Sequence, residues 1–297
     1  MDRGATSASL PRSRELVGIL RQSTTYLERA GVPSPRLEAE LLLSHSLGVS
    51  RLDLYLQFER PLSPDELAPL RELLRSRARG RPLAYLVGEK EFYGLTFQVS
   101  EAVLVPRPET ELLVRLAIAA ASHLDPQARA LDLGTGSGCV AIALAVAAPG
   151  LEVDAVDVEA GALAVARGNV ARHRLQDRVT LHHGSWSRPV LGGSGYQLVL
   201  SNPPYVSTSE WRALEASVRD FEPRSALDAG EDGLAAYREL LPEVARVAAP
   251  GAQVLLECDP RRISEVADLC RAVWAGCELV RHQDLSQRER VLEVTLG

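Results

Sequence analysis

A chain of 297 residues, 46% apolar and 24% charged, has the length for one large or two smaller cores and the composition of a globular protein. No apolar run approaches the ~18 residues that a membrane-spanning helix needs, and the polar start "MDRGATSASLPRSRELVGIL" lacks the apolar stretch and small-residue cleavage site of a secretory leader. The net charge of −6 is unevenly spread, with 13 arginines against 10 acidic residues up to position 85 and 20 basic against 29 acidic residues beyond it, which argues against a broad duplex-DNA footprint.

Four cysteines (Cys139, Cys258, Cys270 and Cys277) show no CxxC pairing. Free thiols in a reducing cytoplasm are expected, and neither disulfides nor a metal site.

Up to about residue 84 the apolar positions recur at helical spacing. "RELVGILRQSTTYLERAG" places Leu16, Ile19, Leu20 and Leu27 on one face and ends at Gly31. "SPRLEAELLLSHSLG", "SRLDLYLQF" and "SPDELAPLRELLRSRARG" follow, the last with Ser63 as N-cap and Pro64 at the first helical position. These segments predict a helical domain over 1–84. "AYLVGEKEFYGLTFQVSEAVLV" changes to alternation around Gly94, which predicts a β-hairpin linker over 85–106. Thr110 is then the expected N-cap of a helix in "RPETELLVRLAIAAASHL".

Residues 107–297 alternate strands and helices. "RALDLGTG", "LEVDAVDV", "VTLHHG", "YQLVLSNPPY" and "AQVLLEC" read as strands, with helices between them. That alternation implies an α/β fold with a mostly parallel sheet covered on both faces. The final "RERVLEVTLG" follows its predecessor too closely for a crossover, so an antiparallel return is expected there.

"DLGTGSG" runs from a strand end into a helix start, and glycines at 134, 136 and 138 let the backbone approach a ligand. The spacing is GxGxG, not the GxGxxG of dinucleotide binders, and favours a nucleoside without a pyrophosphate. Asp157 ends the next strand, where a carboxylate accepts hydrogen bonds from a ribose diol. Trp186 lies just past the third strand, placed either to cover a purine or to pack.

"SNPPY" follows the fourth strand directly. An amide or nucleobase amine has its nitrogen lone pair tied up in resonance, so methylating it requires that the group be held and aimed. Asn202 and the Pro203 carbonyl supply acceptors for its two N–H bonds, Pro203 and Pro204 restrict the backbone that carries them, and Tyr205 offers a ring to stack on the planar group.

With "NPPY", the loop resembles the nucleotide loop and catalytic motif of S-adenosylmethionine-dependent amino-methyltransferases. "RPLAYLVGEKEFYGLTFQVSEAVLVPRPETE", "SNPPYV" and "EPRSALDAGEDGLAAYREL" resemble one branch, the HemK/PrmC family of release-factor glutamine methyltransferases, and the similarity runs from about residue 12 to near the end. The resemblance implies a Rossmann-like seven-stranded methyltransferase domain over 107–297, a substrate-recognition role for 1–84, and methylation of the glutamine in the Gly-Gly-Gln motif of peptide chain release factors. It implies that Gly134, Thr135, Gly136, Ser137, Gly138, Asp157, Trp186 and Asn202 contact S-adenosylmethionine, and that Asn202, Pro203, Pro204 and Tyr205 hold the glutamine. The chain departs from the family at "LECDPRRISEV", where Cys258, Asp259 and Arg262 replace the usual Gly and Gln and put a cofactor role for that loop in doubt.

Other candidates are weaker. His182 and His183 alternate in a strand and read as structural or solvent-facing, Arg71 to Arg81 as a solvated face or a contact for an acidic partner or ribosomal RNA, and Glu109 and Glu111 as caps or partners of Arg107 that the resemblance places near the cofactor. No membrane partner and no direct nucleic-acid binding are expected. The alternatives are a sibling enzyme acting on a ribosomal-protein glutamine or a nucleobase amine, and a non-catalytic S-adenosylmethionine-binding adaptor.

Overall fold

Helical periodicity in the first third becomes a helical core. The computed structural model describes residues 15–125, 127–192 and 195–297; the polar start up to residue 14, where no leader is expected, lies outside them. α1 (Leu16–Arg29), α2 (Pro35–Leu47), α3 (Arg51–Leu56), α4 (Pro64–Ala78) and α5 (Leu83–Val87) fold together. Leu16, Ile19, Leu20 and Leu27 are buried with Leu42, Leu43, Leu54, Leu67, Leu70 and Leu74. Ser63 caps α4 through a reciprocal pair with Glu66, each side chain bonding the other's backbone N–H. This compact unit reaches Gly88, and the second begins at Glu89.

The second unit opens with the hairpin β1 (Glu89–Phe92) and β2 (Leu95–Gln98), followed by α6 (Glu111–Ala121), β3 (Arg129–Leu133), α7 (Cys139–Ala147), β4 (Glu152–Asp157), α8 (Ala160–Arg172), β5 (Val179–His183) and β6 (Tyr196–Ser201). Then come the short helices α9 (Thr208–Ala213) and α10 (Ala216–Arg219), α11 (Ala235–Val244), β7 (Ala248–Glu257), α12 (Ile263–Val273), β8 (Glu278–Gln283) and β9 (Glu289–Thr295). Seven strands form one sheet in the order β5-β4-β3-β6-β7-β9-β8. The pairs among β3 to β7 are parallel, while β9 runs antiparallel to both β7 and β8. The expected return strand is present, inserted between β7 and β8.

Both faces of the sheet are buried, which is why its central strands read as nearly continuous apolar runs. Ala130, Leu198, Leu200 and Leu255 pack with α6, α7 and the hairpin residues Phe92 and Phe97. Leu131, Leu133, Val254 and Leu256 pack with α11 and α12. The hairpin is thus part of the second unit's core. From β3 the chain crosses to β4 on one side, and the sheet continues through β6 on the other. That reversal opens a crevice beyond the C-terminal strand ends, the usual ligand position in such sheets.

Candidate active site

The crevice holds a cavity of about 300 Å³ at the ends of β3, β4 and β6. Gly134, Thr135, Gly136, Ser137, Asp157, Trp186, Asn202 and Pro204 form part of its wall. Gly138, Pro203 and Tyr205 are not among the described residues of the wall.

The glycine loop keeps its shape through backbone ties. The N–H groups of Gly134 and Thr135 both donate to the Val156 carbonyl, at 2.9 and 3.0 Å. Gly134 and Gly136 adopt left-handed conformations, with φ of 75° and 56°, which side chains disfavour. A Cβ on either would point into open space, whereas one on Gly138 would stand 3.1 Å from Ile142 Cδ1. Gly138 therefore serves the packing of α7 against its neighbours.

Asp157 does more than the sequence suggests. Its carboxylate accepts from Gly136 N at 2.8 Å and from Glu159 N at 2.9 Å, so it pins the loop while bordering the cavity. Burial pushes its pKa up, and the two backbone N–H groups oppose the shift. Asp132 lies beneath the loop and accepts from the Thr135 hydroxyl at 2.6 Å. Burial raises it to about 6. Trp186, at a left-handed φ of 49°, donates Nε1 to Glu239 at 3.2 Å while bordering the cavity.

"SNPPY" forms a rigid exit from β6. Ser201 donates its hydroxyl to the Leu133 carbonyl at 2.7 Å, joining the ends of β6 and β3. Asn202 donates Nδ2 to Thr110 Oγ1 at 3.1 Å. Among the described residues no group donates to Asn202 Oδ1 or to the Pro203 carbonyl, so two acceptors stand next to each other in the chain. The Tyr205 ring packs against the sheet's second core cluster, and its hydroxyl donates to Glu257 Oε1 at 3.3 Å. Thr110 stands at the start of α6 but makes no side-chain cap; its hydroxyl meets Asn202 instead.

Several of the remaining candidates have structural partners. His182 Nε2 pairs with Asp154 Oδ1 at 2.6 Å, and His183 Nε2 lies 2.9 Å from the Val158 carbonyl. In the first unit, Arg75 pairs with Glu72 and Arg77 with Glu38. Arg107 pairs with Glu222 at 2.6 Å rather than with Glu109 or Glu111, and Glu111 accepts from Tyr93 N at 2.9 Å. In the atypical loop, Asp259 accepts from Arg261 and Arg262, while Arg262 also reaches Glu210 Oε2 and the Asp232 carbonyl, both at 2.8 Å.

Sequence reasoning missed three contributors. Ala102 to Leu104 and Pro106 line the cavity, although nothing in their composition marks a site. Asn169 is fully buried; it donates to the Ser137 carbonyl at 2.8 Å and exchanges bonds with the Gln98 backbone at 2.7 and 3.0 Å. Glu257 sits behind Tyr205 at the end of β7. An amide on the buried stripe of α8 and an acid ending an apolar strand were the available signals.

Comparison with known proteins follows the same division. The chain matches the family models described as "PrmC N-terminal domain" over residues 18–88 and "Methyltransferase small domain" over residues 110–221. It is 40% identical over 279 residues to the release factor glutamine methyltransferase of Geobacter sulfurreducens, an alignment covering 94% of this chain and 96% of that protein. It is 41% identical over 268 residues to the enzyme of the same name from Caulobacter vibrioides, covering 90% and 91%. The solved structure of a methyltransferase from Pyrococcus furiosus shares the fold, with a TM-score of 0.52 at 18% identity over 75% of this chain and 99% of that one. By identity that extends across both units, the chain belongs to the release factor glutamine methyltransferase family.

Proposed function

We infer that this protein transfers a methyl group from S-adenosylmethionine to the side-chain amide nitrogen of the glutamine in the Gly-Gly-Gln motif of peptide chain release factors, in the cytoplasm. The observation that carries this reading is the acceptor Asn202 Oδ1, unpaired among the described residues, on the wall of the glycine-loop cavity, with the Pro203 carbonyl next to it in the chain.

The cavity suits a cationic nucleoside. Asp132, Asp157, Glu159 and Glu239 line it, while the one arginine among the described wall residues, Arg107, is neutralised by Glu222. Gly134 to Ser137 and Asp157 would hold the cofactor, with Trp186 and Asn202 beside them. Bound there, S-adenosylmethionine supplies a methyl group on a sulfonium that a nitrogen displaces directly.

The protein's own part is to aim that nitrogen. Its two N–H groups donate to Asn202 Oδ1 and the Pro203 carbonyl, which leaves the face of the amide plane to receive the methyl group. Both acceptors sit on a backbone stiffened by Pro203 and Pro204. As the nitrogen gains positive charge these bonds strengthen, so the clamp favours the transition state over the bound substrate. The methylated cationic amide is acidic and loses its proton to water without a dedicated base. Tyr205, anchored from behind by Glu257, closes the clamp. The helical first unit docks the folded release factor, and the acidic cavity wall opposes a phosphate-bearing substrate.

Mass spectrometry tests this. The protein, S-adenosylmethionine and an intact release factor are incubated, and the digest should carry one added methyl on the Gly-Gly-Gln peptide. Methyl transfer to a ribosomal protein or to nucleic acid in place of that peptide overturns the reading.

A further inference from the structure

The turn between β7 and α12 carries the "CDPRR" stretch that departs from the family, and Cys258 to Arg262 are not among the described residues of the cavity wall. The Arg262 side chain is 16% exposed. Its Nε donates to the Asp232 carbonyl, Nη1 to Asp259 Oδ2 and Nη2 to Glu210 Oε2, each at 2.8 Å. Asp259 is itself buried and accepts from Arg261 N at 2.9 Å, so the guanidinium is oriented from within its own turn. Arg261 also meets Asp259 and Glu210, but its side chain is 67% exposed, where water screens such pairs.

The far partner lies on the chain that leaves the candidate active site. Glu210 Oε2 accepts from the Ser207 N–H at 3.0 Å and from the Ser207 hydroxyl at 2.8 Å, which caps α9 just beyond Tyr205 and Val206. A helix of 6 residues is not stable alone and depends on the packing of a buried face. Every residue of α9 is half-buried or exposed, so burial gives it little hold. Backbone bonds from Val206 to Leu227 and from Thr208 to Gly230 tie this stretch to a loop; Arg262 ties it to the end of the sheet. A Cβ on Gly233 would stand 2.8 Å from the Tyr205 carbonyl oxygen and 2.9 Å from Arg262 Nε. The arginine thus lies behind the Tyr205 backbone with a glycine between them.

A proline turn aims its acceptors only if both of its ends are held. β6 holds the first end, where Ser201 is bonded to the Leu133 carbonyl. We propose that Arg262, oriented by Asp259 and acting through Glu210, is a positioning residue that holds the other end and so keeps the Pro203 carbonyl and the Tyr205 ring aligned with the glutamine. The proposal rests on the amide-clamp reading of the site.

Single-turnover transfer at saturating S-adenosylmethionine is measured over a range of release-factor concentrations, with calorimetric cofactor titration and thermal melting of each variant. Arg262→Ala should lower the maximal transfer rate about tenfold or more, since a slight misplacement of the reacting group is costly. Its cofactor affinity should stay within about threefold of wild type. Glu210→Ala should behave alike, and the double variant should be no slower than either single one, as expected of residues in one linkage. Arg262→Lys keeps the charge without the planar fork and should remain slow. Arg261→Ala should stay within about twofold of wild type.

An Arg262→Ala protein at the wild-type maximal rate overturns the proposal, and so do additive losses in the double variant. A cofactor affinity that falls as far as transfer does would show an arginine serving only the fold, and full recovery in Arg262→Lys would assign the effect to charge alone; either overturns it. Should Arg262→Ala fail to fold, Arg262→Lys and Glu210→Ala decide the matter. Active wild type with unaffected variants overturns this inference alone. A wild-type protein that binds S-adenosylmethionine but methylates no release factor overturns the proposed function and the inference with it.

Discussion

The Asn202 amide reaches back 92 residues to donate to the Thr110 hydroxyl at 3.1 Å. One polar contact thus joins the exit of β6 to the entry of α6 and leaves the amide oxygen for a ligand. Asn202→Ala keeps both prolines, so the turn should survive. Transfer should fall by about 10² to 10³, the usual cost of losing one preorganised polar group. Single-turnover kinetics alongside thermal melting check this. A well-folded variant within threefold or so of wild type would exclude the clamp.

Asp157 borders the cavity and at the same time accepts from the backbone of Gly136 and Glu159. Asp157→Ala therefore removes acceptors from the ligand and loosens the loop that cradles it. Each charge-assisted bond contributes ~1.5–3 kcal/mol. Calorimetry should show S-adenosylmethionine binding at least about tenfold weaker. Unchanged affinity, or tighter binding of NAD, would count against the assignment.

Asn169 satisfies the buried Ser137 carbonyl and both backbone groups of Gln98. Asn169→Ala leaves the buried Ser137 carbonyl without this partner, at ~1–3 kcal/mol, and leaves the part-buried Gln98 groups to water. Urea unfolding should show a loss of about 1–3 kcal/mol, and cofactor titration a weaker complex. Full stability in the variant would mean that water replaces the side chain without loss.

Glu257 also links stability to pH. Burial raises its pKa from 4.5 to about 7, so between these values the folded protein holds a proton that the unfolded chain has released. Below both values there is no difference; as pH rises through the window, stability falls by up to ~3 kcal/mol and then stays at that level. Glu257→Gln removes this dependence. Its melting temperature should gain on wild type as pH rises from acid to neutral, and a constant offset would contradict the linkage.

Deleting residues 1–88 tests the role proposed for the first unit. The remaining chain keeps the hairpin phenylalanines in its core and should bind S-adenosylmethionine within a few-fold of the full protein. Methylation of an intact release factor should drop sharply. Transfer at the full-length rate would rule out docking by the helical unit.

Much of this architecture was legible in the sequence because periodicity reports burial. Leu16, Ile19, Leu20 and Leu27 are buried as their spacing predicts, and the β-strands fall where apolar runs alternate with helical ones. "DLGTGSG" and "SNPPY" stood out because glycine and proline constrain the backbone regardless of context. Less legible were residues whose role depends on distant partners. Thr110 reads as a helix cap, since the local rule knows nothing of Asn202. Arg107 reads as a partner of nearby acids, whereas the fold brings it Glu222 from 115 residues away. Asn169 and Glu257 carry only a faint local mark, a polar group on an apolar stripe or strand end, because what distinguishes them is burial beside particular backbone or hydroxyl groups.

The bonds of Asn169 also set an order of assembly during synthesis. The hairpin leaves the ribosome first and the glycine loop next, but the side chain that joins them lies 71 residues after Gln98 and 32 after Ser137. Until α8 has emerged, Ser137 and Gln98 have only water for these bonds, and the loop and the hairpin lack this polar tie. A nascent chain stalled before residue 169 should therefore ignore the nucleoside, and one stalled well after it should begin to retain it. Competence for the cofactor would then arise in stages along translation, with the tie at Asn169 made before the cavity wall is completed by Asn202 and Pro204.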